Sequence, residues 1–430
     1  MPHDVFLQAN ISHTPRSKIK TTSLRNVVDL KTDSIDPSLA PHKRWEVYSL
    51  PGFDNERQPE HLLGSDIGST KYIVPDHCIL FNKLNVRFRR VWKIDSISPD
   101  KICSTEFLPF VVKKGASPEF VYHAIRSVAF TTHLAGVNTN TSGSHKRVDP
   151  DFVLDSPIPL PDLPTQLRIA GILGSLDEKI EVNRRKIAEL EALAKTIYDY
   201  WFVQFDFPDA NGRPYKTSGG AMEWKKELKR EIPKGWRIGT INDLGEIVSG
   251  GTPSTHNPDF WTTNGIAWIT PKDLSNTSNK YIRHGEHDIT DAGLHGSSAQ
   301  MMPRKSIILS TRAPIGYLAV ADCDLCTNQG IKSIIPNKGI GSEFIYYSVQ
   351  TLIPYIKTFG GGSTFAEISK SEYSSLQVVL PQQAIIDKFV DAVTPIAEAR
   401  RIAEIAIEET IQLRDTLLPL LMNGQVNVAG

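Results

Sequence analysis

The sequence predicts an α+β protein: two mixed α/β domains separated by two long coiled-coil helices, the halves related as an internal repeat. Three observations carry this. First, Leu160-Pro161 closes "DSPIPLP" and Leu380-Pro381 closes "SLQVVLP", 220 residues apart, and a long helical pattern follows each. Second, Leu176, Ile180, Asn183, Ile187, Leu190, Ala194, Ile197 and Trp201 alternate in steps of four and three. That is a heptad seam made to meet a partner helix. Shifted by 220 it becomes Ile396, Arg400, Ala403, Ile407, Thr410, Arg414, Leu417 and Leu421, with polar residues at other positions. Third, residues 1–160 and 233–380 are rich in Gly, Pro, Ser, Thr and Asn and are broken by short β-type runs such as "AWIT" and "SIILS".

Taken in order, 1–160 is expected to be the first domain, with one helix at 117–127. Residues 161–206 form a helical region whose Ser175 and Glu178 have capping-box spacing, and Asn183 is placed to fix the seam's register. The Gly/Pro-punctuated stretch 207–232 reads as a linker. Residues 233–380 are the second domain, with a helix at 341–351, and 381–422 is the second helical region, where Thr394-Pro395 suggests an N-cap. The plainer reading of the seams is two amphipathic helices, each packed on its own domain.

Both domains also repeat one strand. Pro75 precedes Ile79-Leu80-Phe81, with Lys83 and Arg87 after it; Pro303 precedes Ile307-Ile308-Leu309, with Arg312 after it.

The 430 residues carry 48 Lys plus Arg against 48 Asp plus Glu, so net charge announces no nucleic-acid partner, although one basic face remains compatible with that balance. No run reaches membrane-spanning length and the start is no signal peptide, so a cytoplasmic protein without membrane contact is expected. Cys323 and Cys326 have zinc-ligand spacing, but Cys78 and Cys103 supply no second pair. Free thiols and no metal are the expectation. Walker A, GxGxxG, HExxH and GxSxG motifs are missing, and no catalytic residues are assigned.

The residues that suggest chemistry suggest binding. "NKLNVRFRRVWK" at 82–93 presents Lys83, Asn85, Arg87, Arg89, Arg90 and Lys93 without an acid. Phe88 and Trp92 interleave, which suits phosphate contact with stacking. As a strand, this run would set Arg87 and Arg89 on one face and Phe88 and Arg90 on the other. The loop "NTSGSHKR" adds Ser142, Ser144, Lys146 and Arg147, and its counterpart "GGGSTFAEISK" adds Ser363 and Thr364. "WITPKDL", "STRAPIGY" and "TNQGIK" present Lys272, Arg312, Asn328, Gln329 and Lys332, side chains able to read base edges. Each alone is better read as a plain surface group or turn former; repeated placement carries the argument.

The wording "SGGTPSTHNPDFW…IAWITPKDL…SSAQMMPRKSIILSTRAPIGYLAVADCDLCTNQGIKSIIP…GGGSTFAEISKSEY" resembles a target-recognition domain of the specificity subunits of type I restriction–modification systems. "LPTQLRIAGILGSLDEKIEVNRRKIAELEALAKTIYDYWF" resembles their central helical region, and "YSLPGFD" with "GSTKYIVPDHCILFNKLNVRFRRVW" resembles a second variant of the domain. The resemblance implies two target-recognition domains held apart by an antiparallel helix pair with approximate two-fold symmetry. It implies a non-catalytic subunit, without cofactor, that binds double-stranded DNA. Adenine methylation would belong to two modification (methyltransferase) subunits, and ATP-dependent translocation and cleavage to restriction subunits. The two domains match each other weakly, so the DNA site is expected to be asymmetric and bipartite. Leu193, Phe202 and Ile411, apolar and off the seam, are the candidate contacts for the modification subunits. An orphan DNA-binding or regulatory protein without enzyme partners is the alternative.

Overall fold

The computed structural model describes residues 19–55, 57–136, 146–312, 314–359 and 367–426. The chain divides into two compact units, Met1–Ile180 with Glu408–Gly430, and Glu181–Ile407.

In the first unit, β1 (Val28–Leu30), β2 (Ile79–Asn82), β3 (Val91–Lys93) and β4 (Phe107–Val112) form an antiparallel sheet in the order β1-β4-β2-β3. All four residues of β2 are buried because both of its faces are covered. Ile79 and Phe81 join Phe110 and helix residues Val121 and Ile125 on one side. Leu80 meets Cys78, Trp92 and Phe107 on the other. The helix is α1 (Pro118–Arg126), begun by Pro118 in its first turn and by Ser117 Oγ, which accepts from Phe120 N. A five-stranded sheet beside it includes Arg44–Tyr48 parallel to Lys101–Cys103. Thr21–Ser23 pairs with Pro157–Pro159 and closes the unit where the long helix α2 (Leu163–Tyr198) departs.

The second unit repeats this plan. Here β5 (Gly245–Ser249), β6 (Tyr281–Ile282), β7 (Ile307–Ser310), β8 (Leu318–Ala321) and β9 (Ile331–Pro336) lie in the order β5-β9-β7-β8-β6. The β7 strand occupies the place of β2, again buried at all four positions. Helix α3 (Ser342–Thr358) corresponds to α1. Arg237–Thr240 pairs with Gln377–Leu380 as the closing ribbon, and α4 (Gln383–Met422) follows.

Both long helices start earlier than their capping signals suggest. Asp162 caps α2, its Oδ1 accepting from Thr165 N at 2.9 Å. Ser175 lies inside the helix and donates to Gly171 O. Thr394 likewise lies within α4, donating to Val390 O, and Pro395 interrupts one backbone bond of a continuous helix. An interior proline costs about 3 kcal/mol. Burial of Phe389, Val393, Ala397 and Ala403 around it offsets that cost.

The seam residues face inward: all sixteen expected positions are buried or half-buried. Charge as well as apolar contact holds them. In the first unit, Asp177 of α2 accepts from Arg126 of α1 at 2.7 Å and from Arg414 of α4 at 2.8 Å, with His123 Nδ1 at 4.0 Å. In the second, Glu404 of α4 accepts from the backbone N–H of Lys280 (3.1 Å) and Tyr281 (3.0 Å) and from Arg400 Nε (2.8 Å). Arg400 also pairs with Glu191 of α2, which accepts from Tyr347 OH of α3. Lys280 Nζ, 1% exposed, meets Glu343 Oε2 at 2.5 Å and lies over the Tyr346 and Tyr347 rings. Burial first, and then Glu343, push the Tyr281 phenol up, so it remains a donor to that carboxylate. In each unit α2 and α4 run antiparallel.

Two expectations are corrected here. Residues 207–232 are not a linker: Met222–Lys225 and Arg230–Pro233 form a hairpin, and Phe207 and Ile232 are buried in the second unit's core with Trp236. Phe202 is not an outer-face residue. The helix ends in a π turn, Asp199–Val203, which widens the residue spacing and turns Phe202 inward. Its ring lies 5.0 Å from both Phe344 and Phe389.

Two stability predictions follow from this packing. Phe202→Ala is expected to cost about 3–5 kcal/mol in urea unfolding, whereas Leu193→Ala, on an exposed helix position, changes little. Burial holds His123 down at about 4 from an ordinary 6.5, with Asp177 opposing and Arg126, Arg414 and Lys93 assisting. The unfolded chain therefore binds more protons between these values, and stability present above pH 6.5 is lost as pH falls toward 4, by about 3 kcal/mol. Burial would raise the Asp177 carboxyl, but the two arginines outweigh it and hold the group at about 2, ionised throughout that window. His123→Gln should flatten the unfolding free energy between pH 6.5 and 4.5; an unchanged slope would place the titration elsewhere.

Candidate nucleic-acid interface

Strand β2 does not continue through the basic run. Asn82 ends it: its Oδ1 accepts from Leu84 N and its Nδ2 donates to Leu84 O, closing a turn on itself. Lys83 N donates to Glu106 O, Asn85 N donates to Lys146 O at 2.8 Å, and Leu84 bridges Arg147. Val86 plugs into the core. A single 3-10 turn, Val86–Phe88, is bracketed by Asn85 (φ 51°) and Arg89 (φ 49°), both left-handed. Asparagine tolerates this region, but for Arg89 it costs roughly 1–2 kcal/mol, so the surrounding bonds hold that end of the turn against its own preference.

The expected two-faced strand at 82–93 is therefore replaced by a protruding turn. Arg87, Phe88 and Arg89 are exposed at its tip. The Arg87 and Arg90 guanidiniums lie 4.8 and 4.9 Å from the Phe88 ring centre. Trp92 is 6% exposed and packs edge-on against Tyr48 and Phe53, so it offers no stacking face. Acids absent from the run arrive from elsewhere. Asp54 takes two bonds from Arg90, Glu106 pairs with Arg147 at 2.7 Å, and Asp95 and Glu119 lie 3.5 and 3.8 Å from Lys93. Lys83, Arg87, Arg89 and Lys146 have no acidic partner among the described residues.

In the second unit, three sequence motifs and one further loop converge around Gly330. Asn328 N donates to Ile269 O at 3.0 Å, Gly251 N to Thr327 O at 2.9 Å and Thr311 N to Gly330 O at 2.9 Å. A Cβ on Gly330 would sit 3.0 Å from the Pro271 ring and 3.4 Å from Arg312 Cβ, and one on Gly250 would sit 2.2 Å from Asn328 O. Backbone lies too close to Gly250 for any side chain there, and one at Gly330 would press on its neighbours. Arg312 stands exposed directly beyond β7, its backbone bridged to Glu367, with no acidic side-chain partner among the described residues. Gln329 is exposed and accepts from Thr252 Oγ1, while the Asn328 side-chain Oδ1 accepts from Gly330 N. Lys272, also exposed, pairs with Glu286 at 2.6 Å.

Lys332 is corrected: at 5% exposure it does not present its charge to solvent. Its Nζ holds Gln329 O at 3.1 Å and Glu367 at 3.2 Å, bracing the loop from beneath. Thr252 and Glu367 were missed as members of this cluster. The Gly250-Gly251-Thr252-Pro253 turn was the available signal for Thr252; its neighbours are pinned by Trp268 Nε1 to Gly251 O and Trp261 Nε1 to Ser254 O. Ser142, Ser144, Ser363 and Thr364 lie outside the described residues.

Of the subunit-contact candidates that remain, Leu193 is 49% exposed and Ile411 half-buried; Val182, Ile402 and Leu413 are further exposed apolar residues on the helices. Cys323 Sγ donates to Arg283 O and Cys326 is buried in a strand. Among the described residues no group of His, Cys, Asp and Glu could hold a metal, and no helix is long and apolar enough to cross a membrane.

The family model described as the type I restriction modification DNA specificity domain matches residues 67–192 and 233–406. The type I restriction enzyme MjaIX specificity subunit of Methanocaldococcus jannaschii is 42% identical over 166 residues, which span 37% of this chain and 38% of that protein. The HindI specificity subunit of Haemophilus influenzae is 26% identical over 411 residues, 84% of this chain and 88% of that one. The solved type I restriction-modification system S subunit from M. genitalium shares the fold at 15% identity and a TM-score of 0.58, covering 98% of this chain and all of that one. With the family model matched across both units, the chain belongs to the type I restriction–modification DNA specificity family.

Proposed function

We propose that this chain is the sequence-specific DNA-recognition subunit of a type I restriction–modification complex. It reads an asymmetric, bipartite site in double-stranded DNA, one half-site per domain. It is itself non-catalytic and directs adenine methylation by two modification subunits and ATP-dependent cleavage by restriction subunits, in the cytoplasm. One observation carries the reading. The same doubly buried strand, β2 in one unit and β7 in the other, ends in an exposed arginine-bearing loop, and the two loops are built differently, one as a 3-10 turn between left-handed residues and the other as a loop braced by Lys332 and Glu367. A shared frame with unlike tips is what two independent readings require.

Arg87, Arg89, Lys83 and Lys146 supply phosphate contacts in the first domain; Arg312 and Gln329, with Lys272 and Asn328 beside them, face DNA in the second. Arg90, Lys93, Arg147 and Lys332 shape these surfaces through their acidic partners. Leu193 and Ile411 contribute to docking the modification subunits.

Replacing both Arg87 and Arg89 with alanine should weaken duplex binding and reduce the log–log salt slope by up to about two. Retention of the full slope would remove these residues from the phosphate contacts. The function as a whole is tested by mapping methylated adenines in cells and then exchanging residues 237–380 for those of another specificity subunit. The junctions fall where Arg237–Thr240 pairs with Gln377–Leu380, so the hairpin and helices stay intact. One half of the methylated motif should change. A motif altered in both halves would sink the one-domain, one-half-site reading.

A further inference from the structure

The turn beyond β2 displays a side chain that phosphate contact does not use. Phe88 is 54% exposed and belongs to none of the apolar clusters of its domain. Two guanidiniums, of Arg87 and Arg90, lie against its ring. Arg90 is in turn fixed by two bonds to Asp54, at 2.8 and 2.7 Å. Left-handed residues flank the 3-10 turn on both sides, Val86 anchors it in the core, and Asn82 and the backbone of Lys146 tie its base. The ring therefore stands on a turn anchored at both ends, with the Arg87 and Arg90 cations against it, Arg89 exposed next to it in the chain and Lys146 exposed on the segment that ties its base.

We propose that Phe88 is a wedge that enters between two stacked base pairs of duplex DNA, so that the first half-site is read partly through how readily one base step opens. The proposal rests on the DNA-recognition reading above. An apolar side chain can unstack a step only if its own support does not yield first, and flanking cations must bring it to the phosphates. This turn has both properties. Flexible pyrimidine–purine steps open at least cost, so the wedge favours such a step at one position of the half-site without any hydrogen bond to a base. Arg87 contributes twice, as a phosphate contact and as a face against the ring.

The test uses the chain in complex with its modification subunits and a duplex carrying the motif found by methylation mapping. Adenines are replaced one at a time by 2-aminopurine and cytosines by pyrrolocytosine. The methylated adenines are left unsubstituted because methyltransferases extrude their target base. Binding should raise emission about threefold or more at one step, in one half-site only. Phe88→Ala should abolish that rise with an unchanged salt slope, and Phe88→Leu, still an apolar wedge, should keep most of it. A saturated wild-type complex with no rise at any position would overturn the proposal, as would an equal rise in Phe88→Ala. Failure of the wild-type complex to bind the motif duplex would instead overturn the DNA-recognition reading, and the wedge with it.

Discussion

Glu404 accepts from two consecutive backbone N–H groups, of Lys280 and Tyr281, while Arg400 holds the same carboxylate from the side. That arrangement fixes helix α4 against the second domain in rotation and in height together. A stripe of apolar side chains resists separation but tolerates sliding, whereas a buried carboxylate with three donors has one position in which its charge is satisfied. Removing one member would strand the others, at about 3–5 kcal/mol. Around this point Glu191, Tyr347, Lys280 and Glu343 bring α2, α3 and the sheet into the same network.

The first unit reaches the same end by different chemistry. Asp177 of α2 gathers Arg126 and Arg414, and Tyr122 donates no charge but lies beneath Arg126. His123, in the place that Tyr347 holds in the second unit, stays neutral because burial disfavours its cation. Arg400 and Arg414, polar residues at the seam of α4, therefore register that helix against α2, through Glu191 in the second unit and Asp177 in the first. Apolar burial supplies cohesion; ion pairing supplies position.

With the helices registered, β2 and β7 are held at corresponding places in their units, buried on both faces. Their ends are free to differ. One leads into a strained turn stiffened from both flanks, displaying Phe88 and two arginines. The other leads into Arg312, braced through Gly330 and the Lys332–Glu367 pair below it. Recognition chemistry thus resides in short segments whose backbone conformations are imposed by neighbours distant in sequence.

That division explains what could be read in advance. The repeat, both heptad seams, the doubly apolar strands and the basic residues after them were legible in the sequence, because periodicity and alternation are local and a buried face leaves its period in the chain. Arg400 and Arg414 could be placed on the seam for the same reason. Other features depended on partners that local pattern does not contain. Ser175 and Thr394 have the form of caps, yet Asp162 and packing around Pro395 carry the helices past them. Phe202 turns inward because a π turn meets an aromatic pocket from α3 and α4, and that pocket also claims residues 207–232. Arg90, Lys93 and Arg147 form a bare basic group in sequence, and tertiary structure supplies Asp54, Glu119 and Glu106. Lys332 goes under the loop because Glu367 waits there. Sequence by itself determined where periodic elements lie and which faces they bury; only the fold decided which charges remain for a partner, since pairing depends on residues brought together from far along the chain.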